Sequence, residues 1–280
     1  MIVDFHTHTF PQKIAAAALE KLKHASRTVP FCSGMDEGLR SSMKTAGIDR
    51  SVVLPVATNP YKTQSINDLS MRMMDDAQLI YFGAIHPDTP DASRELARIA
   101  QAGIRGIKLH PVYQGVDFND KRTLRILETA GELGLIVLTH AGEDIGYPGI
   151  VRVSPEMIAD ALGQVGPVQL VLAHMGGWRD WARVADCLAD TSVLLDTAFS
   201  LGALTPLTEQ DHPGEKRQML DSESFCGLVR AFGADRVLFG TDSPWADQRA
   251  YLEQIRALPL MDGEKEAILG GNACRVLGIG

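Results

Sequence analysis

Two histidines spaced two apart, His6 and His8, follow the short apolar stretch Met1-Ile2-Val3 and the acidic Asp4. On a strand, residues i and i+2 point to the same side, so these two imidazoles converge on one point. Two neutral imidazoles aimed at one point supply half of a divalent-metal site. A His-x-His pair alone is as often merely solvated, so a metal site needs further ligands elsewhere in the chain. Candidates exist: Lys108-Leu109-His110, Thr139-His140, Ala173-His174 and Thr241-Asp242 each close an apolar run with a titratable or metal-competent side chain.

Those residues need elements to carry them. Eight short apolar runs recur along the chain: Met1 to Phe5, Ser51 to Val56, Leu79 to Ile85, Ile104 to Leu109, Leu135 to Thr139, Val168 to Ala173, Ser192 to Asp196, and Arg236 to Gly240. Between them lie stretches with helical periodicity, among them Ile66 to Ala77, Ala92 to Ala102, Lys121 to Leu133, Pro155 to Gln164, Trp178 to Ala189 and Glu223 to Phe232. Asn119-Asp120 and Ser154-Pro155 offer N-cap chemistry, and Gly103, Gly134 and Gly233 stand where helices should stop.

Repeated βα units of this kind predict a single-domain α/β protein, a (β/α)8 TIM barrel over residues 1–280. An open doubly wound sheet is the alternative, but the first strand lacks the Gly-rich turn that would hold a dinucleotide. Active sites in such barrels lie at the C-terminal ends of the strands. Five of the eight runs end in a candidate residue, counting the pair His6 and His8, then His110, His140, His174 and Asp242. One such histidine is ordinarily a hydrogen-bonded rim residue; five at strand ends point to a metal site.

Composition bounds the partners. A net charge of −8 with no basic block argues against a nucleic-acid surface. Four widely separated cysteines, Cys32, Cys187, Cys226 and Cys274, fit reduced thiols of a cytoplasmic protein. Neither a leader-like N-terminus nor a membrane-length apolar run is present, so a soluble, unexported protein acting on a small molecule is expected. The stretch from Ala198 to Ser222 lacks periodicity and comes after the seventh run, which makes it a candidate lid.

With these residues in place, the chain resembles the amidohydrolase superfamily, in particular the amidohydrolase-related branch that contains hydrolases and non-oxidative decarboxylases. The matching motifs are His6-Thr7-His8, the strand-end His140 and His174, Asp242 within Gly240-Thr241-Asp242-Ser243-Pro244, and the closing stretch Gly271-Asn272-Ala273-Cys274-Arg275-Val276-Leu277. The resemblance implies a divalent metal, most often zinc, held by His6, His8, His140 and Asp242, with His174 near the metal or its water. A metal-bound hydroxide would then attack a small amide, lactone or ester, with Asp242 moving the proton and His174 polarising or orienting the substrate. The alternative is decarboxylation of a small unsaturated or aromatic acid on the same ligands.

Metal count turns on Lys108, since two-metal members bridge their ions with a carboxylated lysine or a glutamate. One ion is favoured over two, with Lys108 and His110 as substrate contacts. Glu143 is a further ligand or acid candidate, although a solvated loop carboxylate is the simpler reading. Gly176-Gly177 before Trp178-Arg179 suggests free amides at a helix start, where an anion is welcome, with Arg179 pairing a substrate carboxylate. Arg152 and Lys108 are its rivals, and Trp245 is either a pocket wall or packing. A homodimer is the family-level expectation.

Overall fold

Each of the eight apolar runs overlaps a strand in the computed structural model, which describes residues 1–280. The strands are β1 (Val3–Thr7), β2 (Arg50–Val53), β3 (Leu79–Tyr81), β4 (Gly83–Ala84), β5 (Gly106–Leu109), β6 (Ile136–Thr139), β7 (Gln169–Leu172), β8 (Leu194–Asp196) and β9 (Val237–Leu238). There are nine because the third run is broken at Phe82, whose amide turns to Val53 O at 3.0 Å, while Gly83 pairs with Ile107. The chain forms two compact units, one of Met1–Val52, Ile145–Pro148 and Asp196–Gly280, the other of Val53–Asp144 and Gly149–Leu195.

In the second unit β4, β5, β6, β7 and β8 pair in that order, all parallel. Strands β5 and β6 are buried along their whole length, as a parallel sheet covered on both faces requires. Their returning helices turn one apolar stripe inward: Leu96 and Ile99 from Ala92–Ala102, Ile126, Leu127 and Ala130 from Lys121–Glu132, Ile158 and Ala161 from Pro155–Leu162, Val184 and Leu188 from Trp181–Leu188. Each fully buried Leu or Ile contributes roughly 1.5–3 kcal/mol, so spacing of this kind is what holds the helices down. Asp120 and Ser154 cap as expected, accepting from the amides of Arg122 and Met157, and Gly103 takes the left-handed C-cap at φ 99°.

Register decides where the site residues emerge. Leu109 pairs with Thr139, and Thr139 with Leu172, so His110 and His140 leave their strands side by side and His174 lies one residue further on.

In the first unit the Phe5 amide donates to Phe239 O at 2.7 Å, the Asp242 amide to His6 O at 2.8 Å and the His8 amide to Ser243 O at 2.7 Å, which lays β1 along β9 and the loop after it. Thr7 Oγ1 donates to Val52 O at 2.7 Å on β1's other side. Helices Asp36–Ala46, Ser222–Phe232 and Gln248–Ala257 bury Leu39 and Met43, Phe225 and Val229, and Leu252 and Ile255. The closing helix is Asn272–Leu277, and Asn272 Nδ2 donates to Ala234 O and Val237 O at 2.7 and 2.8 Å, fixing the approach to β9.

The aperiodic stretch from Ala198 to Ser222 is tied down rather than loose. Leu201 and Ala203 bridge to Leu220 and Gln218, and Thr28 bridges to Pro206. Asp211 takes the Arg27 guanidinium at 2.8 Å, and His212 Nε2 bonds Ser26 O at 2.8 Å. No helix of the protein is long and apolar enough to cross a membrane.

Candidate metal centre

Strand β1 places Asp4 and His6 on one face, with His8 continuing the same period just past its end. His6 Nε2, His8 Nε2 and Asp242 Oδ1 converge: the two nitrogens are 3.1 Å apart, and they lie 3.4 and 3.1 Å from the carboxylate oxygen. Ligands about 2.0–2.1 Å from a tetrahedral zinc stand roughly 3.3 Å from one another, so the spacing fits one ion.

Proton counting points the same way. His6 Nδ1 lies 2.7 Å from Asp196 Oδ2, both side chains buried, and a carboxylate only accepts. The His6 proton therefore sits on Nδ1, and its Nε2 presents a lone pair to the centre. That lone pair faces the Asp242 carboxylate and the His8 ring nitrogen. A cation satisfies all three ligand atoms at once.

Asp242 reaches this point from a left-handed backbone, φ 65°, costing of order 1–3 kcal/mol for a residue with a side chain. The turn is held by its amide on His6 O and by the Trp245 amide on Asp242 O at 2.8 Å, and the Ser243-Pro244 bond just after it is cis. Gly240 lets the two strands close up, since a Cβ there would stand 2.9 Å from His6 Cβ.

Behind the ligands, Asp4 is fully buried, and burial pushes its carboxyl up to about 6 against the opposing pull of donors from Thr241, Gln248 and His6.

The second unit gathers the other histidines. His110 stacks on His140 with ring centroids 4.4 Å apart, His140 Nδ1 is 3.0 Å from His174 Nε2, and His110 Nε2 is 3.4 Å from Asp144 Oδ2. His110, His140 and Asp144 could themselves hold a cation. Burial first, then the charges of His110 and His174, hold the His140 imidazolium pKa well below the ordinary histidine value, favouring the neutral form that ligates metals. Lys108 is 1% exposed and close enough for its charge to act on His140. His174 and Met175 are both left-handed, φ 58° and 52°, and Trp181 Nε1 anchors His174 O at 2.8 Å.

The anion cradle expected at Gly176-Gly177 is corrected by the structure. The amides of Gly176, Gly177 and Trp178 donate to Ala173, His174 and Ala141 carbonyls, and the helix starts only at Trp181. Gly142, at φ 88° with Trp178 N 2.2 Å from where its Cβ would be, is why Trp178 continues as a strand-like bridge instead of opening a helix. Arg179 is exposed, with its guanidinium 4.5 Å above the Trp178 ring. Glu143 accepts from the Gly149 amide at 3.3 Å, Arg152 pairs with Asp117 at 2.7 Å, and Trp245 is half-buried.

Three carboxylates escaped the sequence reading. Asp196 closes the seventh run as the histidines close theirs, and Asp4 shares the period-two face of His6, so both had a signal. Asp144 had only its nearness to His140.

Solved structures share this architecture. An uncharacterised TIM-barrel protein from Bordetella bronchiseptica superposes with a TM-score of 0.76 at 20% identity, covering 99% of this chain and 98% of that one. A dihydroxybenzoic acid decarboxylase from Polaromonas, with bound manganese and the inhibitor 2-nitroresorcinol, matches with a TM-score of 0.66 at 14% identity over 99% and 96% of the two chains. A putative 2-pyrone-4,6-dicarboxylic acid hydrolase from Pseudomonas putida matches with a TM-score of 0.63 at 19% identity over 99% and 97%. No curated protein matches the sequence. The fold is thus α/β, a TIM barrel, and the family model described as amidohydrolase matches residues 3–279. The chain belongs to the amidohydrolase family.

Proposed function

We propose that this protein is a divalent-metal-dependent hydrolase of a small amide, lactone or ester. The observation that carries the reading is the convergence of His6 Nε2, His8 Nε2 and Asp242 Oδ1 to within 3.4 Å, with Asp196 holding His6 from behind. These three would hold the ion, zinc by the nitrogen and oxygen character of the set, and one ion rather than two. The family resemblance adds His140 as the fourth ligand, and the metal content of His140→Ala tests that assignment. When bound, such an ion lowers the pKa of water toward neutrality and polarises a carbonyl.

The chain's own residues do the rest. Asp242, whose Oδ1 faces the histidines, is assigned to taking a proton from the attacking water and returning it to the leaving group. His174 is assigned to orienting the substrate carbonyl, and Lys108 and His110 to substrate contact. Arg179, whose guanidinium lies over the Trp178 ring, is assigned to pairing a substrate carboxylate.

Decarboxylation of a small aromatic acid is a second reading, favoured by the likeness to the manganese-containing dihydroxybenzoic acid decarboxylase. Zinc- and manganese-loaded protein assayed on a lactone, ester and amide panel beside hydroxybenzoic acids separates the two. Hydrolysis that falls at least about a hundredfold in Asp242→Asn is expected. Carbon dioxide release without any hydrolysis reverses the ranking.

A further inference from the structure

The two strands that bring His6 and Asp242 together are joined by one buried carboxylate. Asp4 Oδ1 accepts the His6 amide at 3.2 Å and the Thr241 amide at 3.0 Å. Its other oxygen accepts Thr241 Oγ1 at 2.5 Å and Gln248 Nε2 at 2.7 Å. Asp4, Thr241 and Gln248 are all fully buried. Thr241 Oγ1 in turn accepts the Ser243 amide at 3.1 Å, so the bonds flank Asp242 on both sides.

We propose that Asp4 is a positioning residue for the metal centre, setting the separation of His6 and Asp242 through its four hydrogen bonds. This rests on the reading that His6, His8 and Asp242 hold the ion.

The geometry distinguishes this role from ordinary strand pairing. Backbone bonds from β1 reach as far as the Asp242 amide and Ser243 O, yet Asp242 lies past the end of β9 in a left-handed turn, and there Asp4 adds side-chain bonds to the residue before it. A carboxylate accepts at both oxygens, so Asp4 grips the residue before Asp242 by amide and hydroxyl together while holding the His6 amide. Gln248, the first residue of the helix Gln248–Ala257, extends that grip to an element that contributes no ligand. Asparagine in place of Asp4 keeps the shape but turns an NH2 group on donors that need an acceptor, and donor facing donor pushes the two strands apart. Supporting groups of this kind typically change metal affinity about 10- to 100-fold when removed.

The test is zinc affinity by competition with a chromophoric chelator, together with the visible spectrum of cobalt-substituted protein, for wild type, Asp4→Asn, Thr241→Val and Gln248→Met. Expected results are a zinc Kd raised roughly 10- to 100-fold in Asp4→Asn, a smaller rise in the other two, and an altered cobalt band in all three. Asn67→Ala serves as a comparator, because it breaks a buried network of the second unit, Asn67 with Glu95 and the Ala84 amide, and should lower the Tm with zinc affinity unchanged. Should Asp4→Asn fail to fold, Thr241→Val and Gln248→Met decide. Wild-type Kd and cobalt spectra in the folded variants overturn the proposal, as does an equal loss of affinity in Asn67→Ala. His6→Ala keeps the two readings apart: if it binds zinc as tightly as wild type, the ligand assignment itself fails.

Discussion

His6 Nδ1 rests 2.7 Å from Asp196 Oδ2, and neither side chain reaches solvent. Asp196 also accepts the Ala198 amide at 3.0 Å through its other oxygen, so the carboxylate is itself held while it orients the ring. Asp196→Asn replaces an obligatory acceptor with a group that can present a donor to Nδ1, which would move the ring proton to Nε2 and occlude the metal-facing lone pair. Zinc Kd should rise about 10- to 100-fold with secondary structure retained, read by chelator competition and circular dichroism. Unchanged affinity would show that the pair only packs.

Gly240 tests the closeness of the strands. A methyl at Gly240 meets His6 Cβ at 2.9 Å and Ala198 Cβ at 3.4 Å. Overpacking of that kind costs about 1–3 kcal/mol, so Gly240→Ala should lower both stability and metal affinity. Gly227, inside the helix Ser222–Phe232 with nothing within 4 Å of its would-be Cβ, is the control. Gly227→Ala should stabilise by about 0.5–1 kcal/mol in urea denaturation and leave zinc binding alone. Equal behaviour of the two variants would refute a special need for glycine beside His6.

A third prediction concerns pH. The Asp120 carboxyl is lowered from 3.8 to about 2, chiefly by the Arg122 side chain, which donates at 2.8 and 2.9 Å, and then by the Arg122 amide. A carboxyl with its folded pKa below the unfolded one stabilises above the unfolded value, and that contribution drains as pH falls from about 4 toward 2. Solvent screens the exposed ion pair to about 0.5 kcal/mol, and the N-cap adds about 1 kcal/mol. Asp120→Ala should therefore be less stable than wild type by roughly 1–1.5 kcal/mol at pH 7, the gap closing toward pH 2. Denaturation curves at the two pH values check it, and a gap independent of pH counts against the assignment.

Much of this architecture is legible in the chain because periodicity is a local property. The runs at Ile104–Leu109 and Leu135–Thr139 became β5 and β6 within two residues, and Asp120, Ser154 and Gly103 ended helices where their backbone chemistry allows. The His6 and His8 pair was readable for the same reason, since two residues on one strand face need no knowledge of the rest.

What the sequence by itself determined is the inventory: alternating β and α segments, and imidazoles and a carboxylate at strand ends. Tertiary structure alone decided their grouping, because the partner of His6 lies 190 residues away in Asp196 and that of Asp4 lies 237 away in Thr241. It also withdrew the anion cradle at Gly176-Gly177, whose amides are consumed by Ala173, His174 and Ala141 carbonyls. Hydrogen-bond satisfaction is a three-dimensional account, and a linear string holds only the donors and acceptors that enter it.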